Sequence, residues 1–216
     1  MNIQDIYDRY KVMPSLQLHM YRVAAVATHI CRHWTWAQID QKDIITTLLF
    51  HDIWNILKFD LSLYPDFLEP EGEEYWTQVQ RETKKYGISE HEATLAIAKE
   101  VWIPNSAYTL LYEQEHNYLE QNAKTWSLEV KICEYCDMRV TPHGVVSIEE
   151  RMNDLKHRDM KNHGWTLEEV TQKHASCLRW WQSIEQELFA QCSLIPEGIT
   201  DKVIIDIMEE LKSWEI

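Results

Sequence analysis

The sequence is organised around residues 48–60, LLFHDIWNILKFD. In this stretch His51 and Asp52 stand side by side at the end of an apolar run. Burying two such polar side chains costs several kcal/mol unless strong partners satisfy them. A metal ion is one such partner, and a mutual hydrogen bond at a solvated helix end is the ordinary alternative. The polar residues on the other helices decide between the two.

Composition limits the class of protein. The chain has 216 residues, 45% of them hydrophobic, which is enough for one sizeable core and short for two. We therefore predict one domain over residues 1–216. Lys and Arg number 21 against 35 Asp and Glu, and the net charge of -14 argues against general binding to nucleic acid or to anionic membranes. A small phosphate ester would still bind if metal ions supplied positive charge.

The sequence also favours a cytoplasmic location. No apolar run approaches the length of a membrane span, and the first residues, MNIQD, are acidic rather than the start of a signal peptide. Five cysteines at irregular spacing are unlike a secreted disulfide framework. The ten tryptophans are expected to pack between helices or in a homodimer interface.

The remaining signals are almost all helical. Five glycines and six prolines leave few tight turns, and no stretch alternates polar and apolar residues long enough to require a strand. We predict an all-α fold, with a loop over residues 61–72. The helices are expected near residues 3–10, 14–30, 41–54, 73–86, 90–102, 105–117, 127–140, 148–162, 167–192 and 201–214.

Three of these helices carry candidate metal ligands on apolar faces. His19 falls in a run with Leu16 and Val23 at three- and four-residue spacing, so it is predicted to point inward. The His51-Asp52 pair is placed at the end of the 41–54 helix, and Asp137 lies on the 127–140 helix. The order is H…HD…D.

This order resembles the HD-domain superfamily of metal-dependent phosphohydrolases. Residues 18–24, LHMYRVA, are similar to the first ligand helix of that family, and residues 136–140, CDMRV, are similar to its last. The resemblance covers about residues 15–160 and leaves 161–216 as a C-terminal helical extension. It implies a helical bundle that brings His19, the His51-Asp52 doublet and Asp137 onto one divalent ion.

Two imidazoles and two carboxylates suit Fe, Mn, Co, Ni or Zn better than Ca²⁺, which prefers oxygen ligands alone. Such an ion lowers the pKa of bound water from about 15.7 toward about 7 and supplies hydroxide at neutral pH. Asp52 is the ligand expected to bridge two ions, if two are bound.

A second ion depends on two further histidines. In some branches of the superfamily, including di-iron oxygenases, two more histidines lie between the doublet and the last aspartate. His91 and His116 stand in that order here, and we predict that they complete a second metal position. Flanking glutamates leave the alternative that both are solvated residues at helix ends, with a single ion bound.

Other residues near the predicted ligands are candidates for catalysis and for substrate binding. The family commonly has a small residue and then Lys where this chain has Trp54 and Asn55, so Lys58 is expected to supply that positive charge. Glu134 lies one turn before Asp137 and is a candidate acid or base, with Asp52 and Lys58 as the other catalytic candidates. Four basic residues are predicted to bind substrate phosphate: Arg22, Lys58, Arg139 and Arg151.

These observations predict a metal-dependent phosphohydrolase that acts on a nucleotide or another small phosphate ester through a metal-activated water. No glycine-rich phosphate loop is present, so metal and side chains would have to hold a nucleotide. A di-iron oxygenase with the same ligand set and a non-catalytic binding module that keeps the fold are the alternatives.

Overall fold

A computed structural model describes residues 1–36, 38–63, 65–114 and 119–216, without the side chains of residues 162 and 163. Helices make up most of this part of the chain, which confirms the predicted all-α fold. They are α1 (Ile3–Arg9), α2 (Pro14–Arg32), α3 (Gln41–Leu48), α4 (Gly72–Thr83), α5 (Glu90–Glu100), α6 (Asn105–Glu113), α7 (Leu119–Thr125), α8 (Leu128–Asp137), α9 (Ile148–His163), α10 (Leu167–Phe189) and α11 (Asp201–Leu211).

Side-chain caps start many of these helices where the sequence predicted them. Asp40 accepts a hydrogen bond from the Asp43 amide at 3.0 Å at the start of α3. Capping boxes, in which a Ser or Thr and a Glu three residues later each bind the backbone amide of the other, open α5, α9 and α10. They use the pairs Ser89 and Glu92, Ser147 and Glu150, and Thr166 and Glu169.

The core forms around α2, which contacts α3, α8 and α11. Met20, Val23, Ala24 and Ile30 of α2 are fully buried. Burying a large aliphatic side chain stabilises a fold by about 1.5–3 kcal/mol, so this face holds the surrounding helices in place. One continuous hydrophobic cluster extends from α1 to α11 and includes residues of α10. Helix α10 also packs on α7 and α8, so the C-terminal extension lies against the core.

The helix that precedes the doublet is shorter than predicted. It ends at Leu48, and the chain continues through tight turns into a 3-10 helix, Asn55–Lys58. The Phe50 amide bonds to the Thr47 carbonyl and the Ile53 amide to the Phe50 carbonyl, both at 3.0 Å, which is the spacing of 3-10 turns. Buried apolar residues continue through these turns, so apolarity alone does not reveal where the helix stops. The doublet therefore lies on a turn.

Smaller differences occur elsewhere. A two-stranded antiparallel hairpin, β1 (Val140–Thr141) and β2 (Gly144–Val145), follows α8, and α7 was not predicted. The predicted loop over 61–72 contains two short 3-10 helices, Leu61–Leu63 and Pro65–Phe67.

The predicted ligand His116 lies outside the described residues. None of the described helices has both the length and the apolarity needed to cross a membrane.

Candidate metal centre

Three predicted ligands meet at one point in the core. The Nε2 atom of His19 lies 2.9 Å from Oδ1 of Asp137 and 3.3 Å from Nε2 of His51. The Nε2 atom of His51 lies 3.6 Å from the same Asp137 oxygen. They come from α2, from the turn after α3 and from the last residue of α8. The structure thus brings two imidazole nitrogen atoms and one carboxylate oxygen together.

These separations fit the ligands of a transition-metal ion. Nitrogen and oxygen ligands lie about 2.0–2.2 Å from such an ion, so two of them are about 3.0 Å apart at a right angle and about 3.4 Å apart at a tetrahedral angle. The distances among His19, His51 and Asp137 span 2.9–3.6 Å. This group could hold a metal ion.

Asp52 borders the group. Its Oδ2 lies 3.5 Å from Nε2 of His19 and 4.0 Å from Nε2 of His51, slightly farther than Asp137. The side-chain amide of Asn55 donates a 2.6 Å hydrogen bond to that oxygen and so orients the carboxylate. Asp52 therefore lies beside the three-residue group without belonging to it.

A backbone carbonyl orients the ring of His51. Its Nδ1 lies 2.7 Å from the Leu48 carbonyl oxygen, which can only accept a hydrogen bond, so the proton of the neutral ring belongs on Nδ1. The lone pair of Nε2 then faces His19 and Asp137. Metal-binding histidines commonly use a backbone carbonyl in this way. The early end of α3 at Leu48 is what brings this carbonyl within reach.

The centre favours a positive charge. Burial lowers the pKa of His51, but the carboxylates of Asp52 and Asp137 outweigh burial and raise its pKa to about 9. Burial raises the pKa of Asp137, but the imidazoles of His19 and His51 beside it hold that pKa well below its usual range. Asp137 is therefore anionic near neutral pH, beside the protonated ring of His51.

The neighbouring elements hold each ligand in place. On α2, His19 lies between the buried residues Leu16 and Met20. Ser127 caps helix α8 by accepting a hydrogen bond from the Val130 amide, and the helix buries residues 130–136 almost completely. Asp137 follows at the helix end.

The buried Arg139 donates hydrogen bonds to the Val146 and Pro196 carbonyls. These bonds anchor the chain just beyond Asp137.

Two clefts meet at the candidate metal centre. The first, of about 440 Å³, is bordered by α9 and α10, and the second, of about 530 Å³, is bordered by α5 and α6. Both volumes fall in the range of about 300–1,000 Å³ that is usual for small-molecule sites. Asp52, Lys58 and Asp137 line both clefts.

The second cleft contains the remaining catalytic and metal candidates that the structure describes. His91 and the buried Glu134 line it together with His51 and Asp52. His91 is not part of the three-residue group, so a second metal position at this residue stays a prediction. Lys58 is half exposed, and its Nζ is 3.0 Å from Oε1 of Glu90.

The predicted phosphate-binding arginines fall in different places. Arg151 lines the first cleft and is buried. Arg22 donates a hydrogen bond to the Pro142 carbonyl at 3.0 Å, and Arg139 bonds to Tyr135 and to the carbonyls given above. Neither Arg22 nor Arg139 is among the residues described along the two clefts, so the structure brings only Arg151 and Lys58 of the four to them.

Sequence reasoning missed several residues of the first cleft. Asn55 contacts Asp52 there, and α9 and α10 contribute Arg158, Asp159, Lys173 and His174. His174 Nε2 lies 2.9 Å from Asp159 Oδ2 and ties the two helices together. The two consecutive capping boxes separated by Gly164, whose φ is +67°, were a signal for this helical hairpin, but they do not indicate which of its faces meets the metal centre.

No protein-family model, curated protein or solved structure matches this chain. What the centre does must therefore be inferred from its own geometry and chemistry.

Proposed function

We propose that the protein is a metal-dependent phosphohydrolase of the HD-domain type, acting on a nucleotide or another small phosphate ester. The observation that supports this most is the convergence of His19, His51 and Asp137 within 2.9–3.6 Å at the junction of two clefts. These three residues would hold a divalent ion such as Mn, Fe, Co, Ni or Zn, with Asp52 beside it.

The ion would supply a nucleophile at neutral pH by lowering the pKa of bound water, and it would neutralise charge on a phosphoryl oxygen. The side chains have complementary tasks. Asn55 donates a hydrogen bond to Oδ2 of Asp52 and would keep this carboxylate, a candidate proton acceptor, in place beside the ion. Lys58 lines both clefts, where its ammonium group is paired with Oε1 of Glu90 at 3.0 Å.

A non-catalytic module with this fold would have little need for the donor set. Two features are typical of ion binding. A backbone carbonyl orients the ring of His51, and the carboxylate of Asp137 stays anionic next to two imidazoles. The cleft beside them gives a small molecule access to the ion.

The test has two stages. Metal content is measured in the purified wild-type protein and in His51→Ala, with His157→Ala as the control because His157 is an exposed histidine on α9. Wild type and control are expected to contain metal, and His51→Ala is expected to lose it. Phosphate release is then screened over phosphate esters with Mn, Co, Ni, Fe and Mg under anaerobic conditions.

Hydrolysis without oxygen that disappears in His51→Ala would support the proposal. Turnover that needs both iron and dioxygen would contradict it and would indicate an oxygenase. Equal metal content in His51→Ala and in the control would contradict the metal centre itself.

A further inference from the structure

The two clefts at the metal centre differ in charge. Among the described residues that line the second cleft, the carboxylates of Glu90 and Glu134 accompany one ammonium group, Lys58, whose Nζ is 3.0 Å from Oε1 of Glu90. Because the ammonium group of Lys58 is already paired with Glu90, its attraction for an anionic substrate is weakened on this side. This pairing makes the second cleft the weaker candidate for binding a phosphate ester.

The first cleft retains positive charge. Arg151 Nη1 lies 3.0 Å from Oδ2 of Asp154, and Arg158 Nη2 lies 2.6 Å from the same oxygen. Two guanidinium groups thus share one carboxylate, which leaves a net positive charge on this part of α9. In a chain with a formal net charge of -14, such a group next to the metal centre favours the approach of an anion from this side.

Arg151 has donors that are not used within the described structure. It is 8% exposed, and its only described hydrogen bond is the one from Nη1 to Asp154. Its Nε is buried and has no acceptor among the described residues. A buried guanidinium with unused N–H groups is costly, and the edge formed by Nε and Nη2 is the fork that binds two oxygens of a phosphoryl group. Arg151 lines the cleft together with His19 and Asp137.

Part of this cleft is apolar. Its wall includes Met152 and Leu155 of α9, Trp181 of α10, and Phe59 and Phe67 from the segment after the doublet. An apolar group would gain about 25 cal/mol per Å² that it buries against this wall.

From these contacts we propose that the α9–α10 hairpin builds the substrate subsite, with Arg151 binding the phosphoryl oxygens and the apolar wall taking the organic part of the substrate. The substrate class is then a phosphate monoester with a compact apolar group, and entry is through the first cleft. That the ester is hydrolysed rests on the proposed function; the binding subsite does not.

The test uses phenylphosphonate, which has the shape of such an ester but cannot be hydrolysed, with methylphosphonate and benzoate for comparison. Affinities are measured by isothermal titration calorimetry on Mn(II)-loaded protein. The variants are Arg151→Met and Arg151→Lys, and the matched control is Arg179→Met, which removes the same charge from an exposed position on α10. Manganese content and circular dichroism are recorded for each protein.

Phenylphosphonate is expected to bind the wild type and Arg179→Met equally, and to bind Arg151→Met about 10- to 100-fold more weakly, the loss expected for charged hydrogen bonds. Arg151→Lys should also weaken binding, because an ammonium group cannot present the fork. If Arg151→Met does not fold, Arg151→Lys decides the matter. Methylphosphonate and benzoate should both bind the wild type more weakly than phenylphosphonate.

Unchanged affinity in folded Arg151 variants would overturn the subsite, as would a manganese-loaded wild type that binds no phosphonate. Equal affinity for methylphosphonate would overturn the apolar part, and equal affinity for benzoate would overturn the preference for phosphoryl oxygens. Phosphonate binding that depends on Arg151 in a protein that hydrolyses no ester would support the subsite and contradict only the proposed function.

Discussion

Nε2 of His19 and Oδ1 of Asp137 lie 2.9 Å apart, although one residue is on α2 and the other ends α8. The packing of α2 against α8 and of both against α3 produces this contact. The third member, His51, reaches the same point because α3 stops at Leu48 and the chain turns. The centre therefore depends on three separate segments being held together by the core.

The Asp137→Ala variant is expected to contain less bound metal than the Asp52→Ala variant. Asp137 Oδ1 lies 2.9 and 3.6 Å from the two imidazole nitrogens, whereas Asp52 Oδ2 lies 3.5 and 4.0 Å from them. Asp137→Ala should contain almost no metal after purification and Asp52→Ala a reduced amount. Asp206→Ala, an exposed position on α11, is the control for a lost carboxylate. Full metal content in Asp137→Ala, measured by mass spectrometry, would contradict the assignment.

Metal binding is expected to tighten as the pH rises. In the metal-free protein the nearby carboxylates raise the pKa of His51 to about 9, so this ring is protonated at neutral pH. A metal ligand must be the neutral ring, and binding therefore releases a proton. Affinity for Mn(II) should increase up to about pH 9 and then level off. Calorimetry in two buffers with different ionisation enthalpies measures the released protons, and no release at pH 7 would contradict the prediction.

Asn55 is expected to position Asp52. Its amide donates a 2.6 Å hydrogen bond to Oδ2 of that carboxylate. Loss of such a partner of a metal ligand typically reduces metal affinity or activity about 10- to 100-fold. Asn55→Ala should show a reduction of this size in Mn(II) titrations, with unchanged circular dichroism. Asn153→Ala on the exposed side of α9 should behave as the wild type. If both variants bind metal equally, Asn55 has no positioning role.

Tyr7 is expected to stabilise the turn that carries the doublet. Its buried hydroxyl donates a 2.6 Å hydrogen bond to the Leu49 carbonyl, two residues before His51. Tyr7→Phe would leave this carbonyl buried without its donor, which costs about 1–3 kcal/mol of the free energy of unfolding. Urea denaturation followed by circular dichroism measures the loss. Tyr112→Phe, at an exposed tyrosine, should change stability by less than about 0.5 kcal/mol.

Local signals in the sequence determined the helical fold. Capping boxes such as Ser147 with Glu150 act within a single turn, so their effect is readable without knowing the rest of the structure. The three- and four-residue spacing around His19 correctly placed apolar neighbours on the core side of α2. The end of α3 was predicted incorrectly, because residues 49–54 can bury their apolar side chains equally well as a turn.

The sequence by itself therefore determined the all-α fold, most helix starts, and the order of His19, His51, Asp52 and Asp137 along the chain. Only the tertiary structure decided that His19, His51 and Asp137 form the closest group and that Asp52 borders it. Only the tertiary structure, too, placed Arg151 in a cleft and Arg139 in a structural network. The physical reason is the range over which each interaction acts. Helix propensity and capping act over a few residues, whereas the distances between ligand atoms follow from how α2, α3 and α8 pack against one another.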